Sequence, residues 1–145
     1  MRALFDVNVL IALLDASHLH HSTALAWLTR EASHGWASCP LTQNGCIRIM
    51  AQPAYPNPLP AVAVAERLAE ACAHPDHDFW PDAHSLLASG SVDWGKITGH
   101  RQITDAYLLG LAVRKGGRFV TLDARLRHET VPGARAEHLV VLAAQ

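Results

Sequence analysis

The chain has 145 residues, with 12 Lys and Arg against 13 Asp and Glu, ten His, and a formal net charge of −1. Half of the residues are hydrophobic and 17% are charged, which supplies a buried core and excludes a disordered chain. The near-neutral charge lacks the basic footprint of a typical nucleic-acid-binding domain, and no run reaches the ~18 uncharged apolar residues of a membrane span.

A single domain covering 1–145 is expected at this length. Met1 to Phe5 has the charged head of a secretory signal, but Asp6 and Asn8 break the apolar run and no small-residue cleavage site follows. Residues 2–5 therefore read as a short buried strand closing on Asp6. Val7 to Leu14 is apolar nearly throughout and suits a buried helix as well as a strand. Asp15 to His18 marks a break, after which Leu25, Leu28 and Ala32 recur at helical spacing until Gly35. Trp36 to Cys39 reads as a second strand. Thr42 is placed as the N-cap of a helix over 43–51, with Gly45 as an internal weakness of about 1 kcal/mol.

Four prolines between 53 and 60 exclude a helix interior and predict a stiff surface connection. A helix is expected over 61–72, then a brief strand at 78–81, then a loop punctuated by Gly90, Gly95 and Gly99. Thr104 is suited to cap a helix over 105–115, which Gly116 and Gly117 end. Residues 118–122 read as a strand ending on Asp123, and 138–142 as a final strand. Strands alternating with helices through short connections predict an α/β fold with a mainly parallel sheet.

Charge is unevenly distributed. Residues 66–93 carry six acids against Arg67, whereas residues 94–135 carry eight bases against Asp105, Asp123 and Glu129. The basic part is mostly Arg, the better fork for phosphate, although ordinary solvated faces account for the pattern equally well. The three cysteines, Cys39, Cys46 and Cys72, form no paired motif, so a reducing cytoplasm is expected.

Parallel sheets bind ligands at the carboxyl ends of their strands. Asp6 and Asp123 fall at such ends, and Asp105 opens the helix feeding the Asp123 strand. Convergent carboxylates repel one another unless protons or a cation intervene, and a hard divalent ion such as Mg²⁺ or Mn²⁺ is the simplest relief. Such an ion orients a phosphate and lowers the pKa of a bound water. N-capping is the ordinary alternative for Asp105 and Asp123. Asp6, between an apolar strand and an apolar segment, is a costly place for an unpaired charge. Asn8 suits positioning of Asp6, a phosphate contact, or merely an Asx turn.

Four blocks in order carry a resemblance: 4–10 (LFDVNVL), 41–48 (LTQNGCIR), 99–109 (GHRQITDAYLL) and 119–123 (FVTLD). Together they resemble PIN-domain ribonucleases, specifically VapC-type toxins of toxin–antitoxin pairs, across nearly the whole chain. The resemblance implies a three-layer α/β/α fold and a Mg²⁺- or Mn²⁺-dependent endoribonuclease that cleaves RNA phosphodiesters in line. It implies a cognate antitoxin that covers the groove, and a homodimer. It assigns Asp6 and Asp105 as the principal metal-binding acids and Asp123 as a further acid acting through water. Thr104 supports the site or simply caps. His100, Arg101 and Arg125 are candidate RNA contacts. Family sites usually add an acid from the helix after the second strand, where this chain offers Gln43 and Asn44; Gln43 is taken as the equivalent, with Glu66 and Glu70 as possible substitutes.

Other chemistries fit less well. His18, His20 and His21 cluster in one segment, and His74, His77 and His84 lie among Asp76, Asp78 and Asp82, but none is paired with cysteine as a structural zinc site requires. Cys46 lies on an apolar helix face, Trp27, Trp36, Trp80 and Trp94 suit core packing better than base stacking, and phosphate-binding glycine motifs are absent. A PIN-like module that binds RNA or an antitoxin without cutting is the main alternative. A phosphatase or flap-type DNA nuclease is a weaker one.

Overall fold

The computed structural model describes residues 1–142. Five strands, β1 (Ala3–Phe5), β2 (Trp36–Ser38), β3 (His77–Phe79), β4 (Arg118–Thr121) and β5 (Leu139–Val141), form one sheet in the order β3-β2-β1-β4-β5. Every pairing is parallel, with Leu4 opposite Ala37 on one side and Phe119 on the other. The sheet is therefore wholly rather than mainly parallel. Chain order reverses direction at β1, so the crevice above the carboxyl ends of β1 and β4 is a topological switch point.

Strand alternation divides the core. Ala3, Phe5 and Val120 face helices α1 (Val7–Leu14), α2 (His21–Glu31), α3 (Pro40–Met50) and α4 (Ala61–Cys72), where Val9, Leu10, Trp27, Met50, Val64 and Leu68 are buried. Leu4, Ala37 and Phe119 face α5 (Gln102–Arg114), packing on Leu108, Leu109 and Leu111. Three layers result, as expected for the fold class. Because α5 is covered nearly all round, Ala106, Gly110 and Ala112 are buried beside its leucines.

Several boundaries move. The apolar segment 7–14 is a helix, capped by the Asp6 side chain, which accepts from the Val7 amide. Helix α3 starts at Pro40, a residue pre-shaped for the first helical position. Thr42 thus lies one turn in, where its Oγ1 accepts from the Cys39 amide at 3.0 Å. Likewise α5 starts at Gln102, so neither Thr104 nor Asp105 is its cap. In α2 the buried positions are Ala24 and Trp27, while Leu25 is exposed. Strand β3 begins one residue before the predicted stretch, and β5 is confined to three residues.

The proline-rich connection is a surface strap, held where the Tyr55 hydroxyl donates to Asp15. Gly45 is explained by packing: a Cβ there would lie 2.8 Å from Val7 Cγ2. The absence of a side chain lets α3 press against α1, and the two form one of the larger helix contacts of the fold. Among the described residues, no helix is long and apolar enough to cross a membrane.

Candidate active site

Asp6 leaves β1 at the switch point and is 6% exposed. Its amide donates to the Val120 carbonyl, so the β1–β4 ladder fixes the backbone. Its two carboxylate oxygens have separate donors: the Val7 amide on Oδ1 at 2.7 Å and the Thr121 hydroxyl on Oδ2 at 3.0 Å. Burial pushes the Asp6 pKa upward, the two donors pull it back, and the Asp123 charge adds to the rise.

Asp105 lies in the first turn of α5 and is 7% exposed. Burial, then the charges of Asp6 and Asp123, raise its pKa to about 7, while Arg125 opposes the shift. Asp123 follows β4 and is half-buried. Its Oδ1 accepts from the Arg125 amide at 2.9 Å, an Asx turn rather than a helix cap, and pairs with Arg125 Nε at 3.4 Å. The Asp123 amide in turn donates to Thr121 Oγ1 at 3.1 Å.

The three acids open onto one cavity of about 400 Å³, which Asn8, Asn44, Arg48, Arg101, Thr104 and Arg125 also line. Most of the residues singled out from the sequence therefore do converge. Gln43 does not: its Nε2 donates to Ser38 Oγ at 2.9 Å in a polar cluster with His77, and it borders a different depression near α4. Asn44 takes the position expected of Gln43 in the cleft. His100 is exposed and outside the lining, and Glu66 and Glu70 are exposed on α4 and also outside it. Among the described residues, no further acid lines the cavity.

The basic half of the chain is only partly committed to this cleft. Arg101 and Arg125 reach it, whereas Arg118 pairs with Glu31 at 3.3 Å and lies 4.8 Å above the Trp27 ring. Arg48 supplies a third cation from α3, and neither its placement nor that of Thr121 was legible from charge runs. Period-two alternation in β4 was the available signal for Thr121, because it puts residues 121 and 123 on one side.

Buried carboxylates that raise one another's pKa are relieved by protons or by a cation, and a hard divalent ion takes oxygen donors of this kind. Among the described residues, no three Asp, Glu, His or Cys side chains stand close enough to chelate an ion by themselves. Mg²⁺ is commonly held by one or two carboxylates and keeps much of its water, so Asp6 and Asp105, whose charges act on each other, are the residues that could hold one. The His/Asp segment 74–84 is dispersed instead: His74 pairs with Asp76, His77 bonds Ser38, and His84 stacks on Tyr107. Three tryptophans are buried, as core packing predicts, and Trp94 is half exposed.

The PIN domain family model matches residues 3–130. The chain is 47% identical over 142 residues to ribonuclease VapC44 of Mycobacterium tuberculosis, covering 98% of this chain and all of that protein. It is 42% identical over 135 residues to ribonuclease VapC39 of the same organism, covering 92% of this chain and 96% of the relative. Ribonuclease VapC29, again from M. tuberculosis, is 39% identical over 128 residues, covering 88% and 90%. With a family model matching most of the chain and near full-length identity to these relatives, the chain belongs to the PIN-domain family, in its VapC group.

Proposed function

We propose that this protein is a toxin endoribonuclease that hydrolyses RNA phosphodiesters with Mg²⁺ or Mn²⁺ and is silenced by a cognate antitoxin. The observation that carries the reading is the cavity itself, which Asp6, Asp105 and Asp123 line together with Arg48, Arg101 and Arg125. Acids alone would repel an RNA backbone and arginines alone would only bind it. The mixture offers oxygen donors that would hold a cation and forked cationic donors that would hold a phosphate.

Asp6 and Asp105 are the residues that would hold the ion, with Asp123 acting through water. When bound there, Mg²⁺ or Mn²⁺ would supply a lowered pKa for the attacking water and offset charge developing on the phosphate. Thr121 and the Val7 amide keep the Asp6 carboxylate oriented. Arg125 partly neutralises Asp123 and, with Arg48 and Arg101, provides forked donors for phosphate oxygens. Thr104 and Asn8 line the same space and position water or the RNA backbone.

For the antitoxin, an apolar cavity of about 480 Å³ between α1, α2 and α4, lined by Leu13, Leu14, Leu25, Leu28, Leu68 and Ala71, offers a surface for apolar side chains. The three cysteines are free, which suits a cytoplasmic protein. A homodimer is the assembly we expect, and light scattering of the purified toxin checks it.

Asn44 in place of an acid favours a second reading, a PIN-fold binder of RNA or antitoxin that does not cut. The deciding experiment is cleavage of a mixed small-RNA pool by antitoxin-free protein with Mg²⁺, Mn²⁺ or EDTA, beside Asp6→Ala. Discrete fragments that need metal and vanish in the variant support the nuclease. Folded protein that binds RNA and yields no metal-dependent fragments supports the binder.

A further inference from the structure

The acid cleft does not end at Asp123. A second, open depression of about 370 Å³ shares Asn8, Asp123 and Arg125 with it and is also lined by His18 and His20, on the turn between α1 and α2. We propose that His18 and His20 form a subsite for the phosphate adjoining the scissile one in the RNA strand, an inference that rests on the nuclease reading for which linkage is cut.

The turn is built to present these rings. Asp15 Oδ1 accepts from the Ser17 amide and the Asp15 carbonyl from the His18 amide, both at 3.0 Å. The His20 amide donates to His18 Nδ1 at 3.0 Å, and the His21 amide to the His18 carbonyl at 3.0 Å. His21, by contrast, turns inward, its Nδ1 lying 2.7 Å from the Ala12 carbonyl. Because His18 Nδ1 accepts a backbone hydrogen, the ring hydrogen belongs on Nε2, which is a donor whether the ring is neutral or charged. The His18 and His20 rings lie 5.8 Å apart, tilted by 46°. Arg125 meets Asp123 through Nε, which leaves its two amino groups to a ligand.

The groove thus joins a permanent cation to a fixed imidazole donor and continues from the place where the scissile phosphate would lie. A transition-metal site is not what the cluster makes, since no three of its side chains are gathered for chelation among the described residues. A strand crossing the acid cleft must carry its next phosphate somewhere, and in the adjoining depression the Asp123 carboxylate is already paired with Arg125 Nε, which leaves the Arg125 amino groups and the two imidazoles to receive it.

The test uses a short labelled single-stranded RNA and versions of it carrying one neutral methylphosphonate linkage at each position in turn. Binding is measured for the wild type and for His18→Ala/His20→Ala, and cleavage is followed in Mg²⁺. The double variant should lose roughly tenfold in affinity, seen as raised KM with kcat little changed. One methylphosphonate, next to the cut linkage, should cost the wild type the same factor and the double variant nothing further. Two single variants separate ligand contact from turn structure. His18→Gln carries an amide donor to the Nε2 position and should retain affinity, whereas His18→Asn replaces only the Nδ1 acceptor and should not. Equal affinity of wild type and double variant, or losses that multiply at every linkage, overturns the subsite. So does recovery by Asn instead of Gln. Wild-type protein that binds but never cuts overturns the nuclease reading alone, and the methylphosphonate cycle read by binding still decides whether the histidines hold a phosphate.

Discussion

Thr121 stands between two of the three acids: its hydroxyl donates to Asp6 at 3.0 Å and its oxygen receives the Asp123 amide at 3.1 Å. One strand residue therefore sets the orientation of Asp6 and the start of the turn that carries Asp123. Because Thr121 is fully buried, its hydroxyl depends on these two partners for its hydrogen bonds.

Thr121→Val keeps the shape and removes the hydroxyl, leaving a carboxylate oxygen and a backbone amide without their partner. We expect a loss of about 1–3 kcal/mol in stability and a markedly weaker affinity for Mg²⁺. Thr121→Ser should recover most of both. Denaturant unfolding and calorimetric metal titration check the pair of variants, and a Val variant indistinguishable from wild type would show that the hydroxyl is dispensable.

Asp105 makes metal-free stability depend on pH in a defined sense. Its pKa rises from 3.8 to about 7 on folding, so between those values the native state holds a proton that the unfolded chain has lost. Stability must then fall as pH climbs through that window, and the upward shift of Asp6 adds the same sign. In EDTA at pH 8, Asp105→Asn should be more stable than wild type by on the order of 2–4 kcal/mol, because it removes a charge buried beside two others. Mg²⁺ should stabilise the wild type more at pH 8 than at pH 5 and the variant little at either. Melting curves across pH with and without the ion test this.

The sheet and its acids were legible because short apolar runs ending on Asp6 and Asp123 are strongly patterned, and because α5 is announced by Leu108 to Ala112. Helix starts were less legible. Thr42 and Thr104 have the chemistry of caps, yet Pro40 and Gln102 begin the helices, since tertiary packing extends a helix past its best local cap. The amide that faces the cleft could not be chosen between two neighbours on α3. Adjacent helical residues point about 100° apart, and only the packing of α3 on α1 decides which is turned inward. Arg48 was missed for a related reason, since only the packing of α3 brings it to the cavity wall, and the alternation in β4 that could have pointed to Thr121 does not name its long-range partner Asp6.

Asn44, not Gln43, is accordingly the position at which to add charge. Asn44→Asp puts a fourth carboxylate on the cavity wall and should tighten Mg²⁺ or Mn²⁺ binding by about tenfold, since cation affinity follows the number of charged ligands. Without metal the same variant should melt at lower temperature, because three acids already repel one another there. Gln43→Glu should leave metal affinity unchanged and lose stability by removing the amide donor to Ser38. Titration of both variants separates the positions, and a larger gain from Gln43→Glu would reverse the assignment.

Gly45 tests whether the cleft is held at its width by helix packing. The 2.8 Å approach that a Cβ would make to Val7 Cγ2 is shorter than van der Waals contact, so Gly45→Ala must move α3 or rotate Val7. Helix propensity alone predicts stabilisation by about 1 kcal/mol, whereas overpacking predicts a cost of about 1–3 kcal/mol. Since α1 and α3 meet closely and Asp6 caps α1, the second effect should win and should weaken metal binding as well. Val7→Ala introduced alongside it should recover stability, because it removes the methyl that the new Cβ would strike. A double-mutant cycle on unfolding free energy measures the coupling, and additive effects would show that the two helices are not in register at this point.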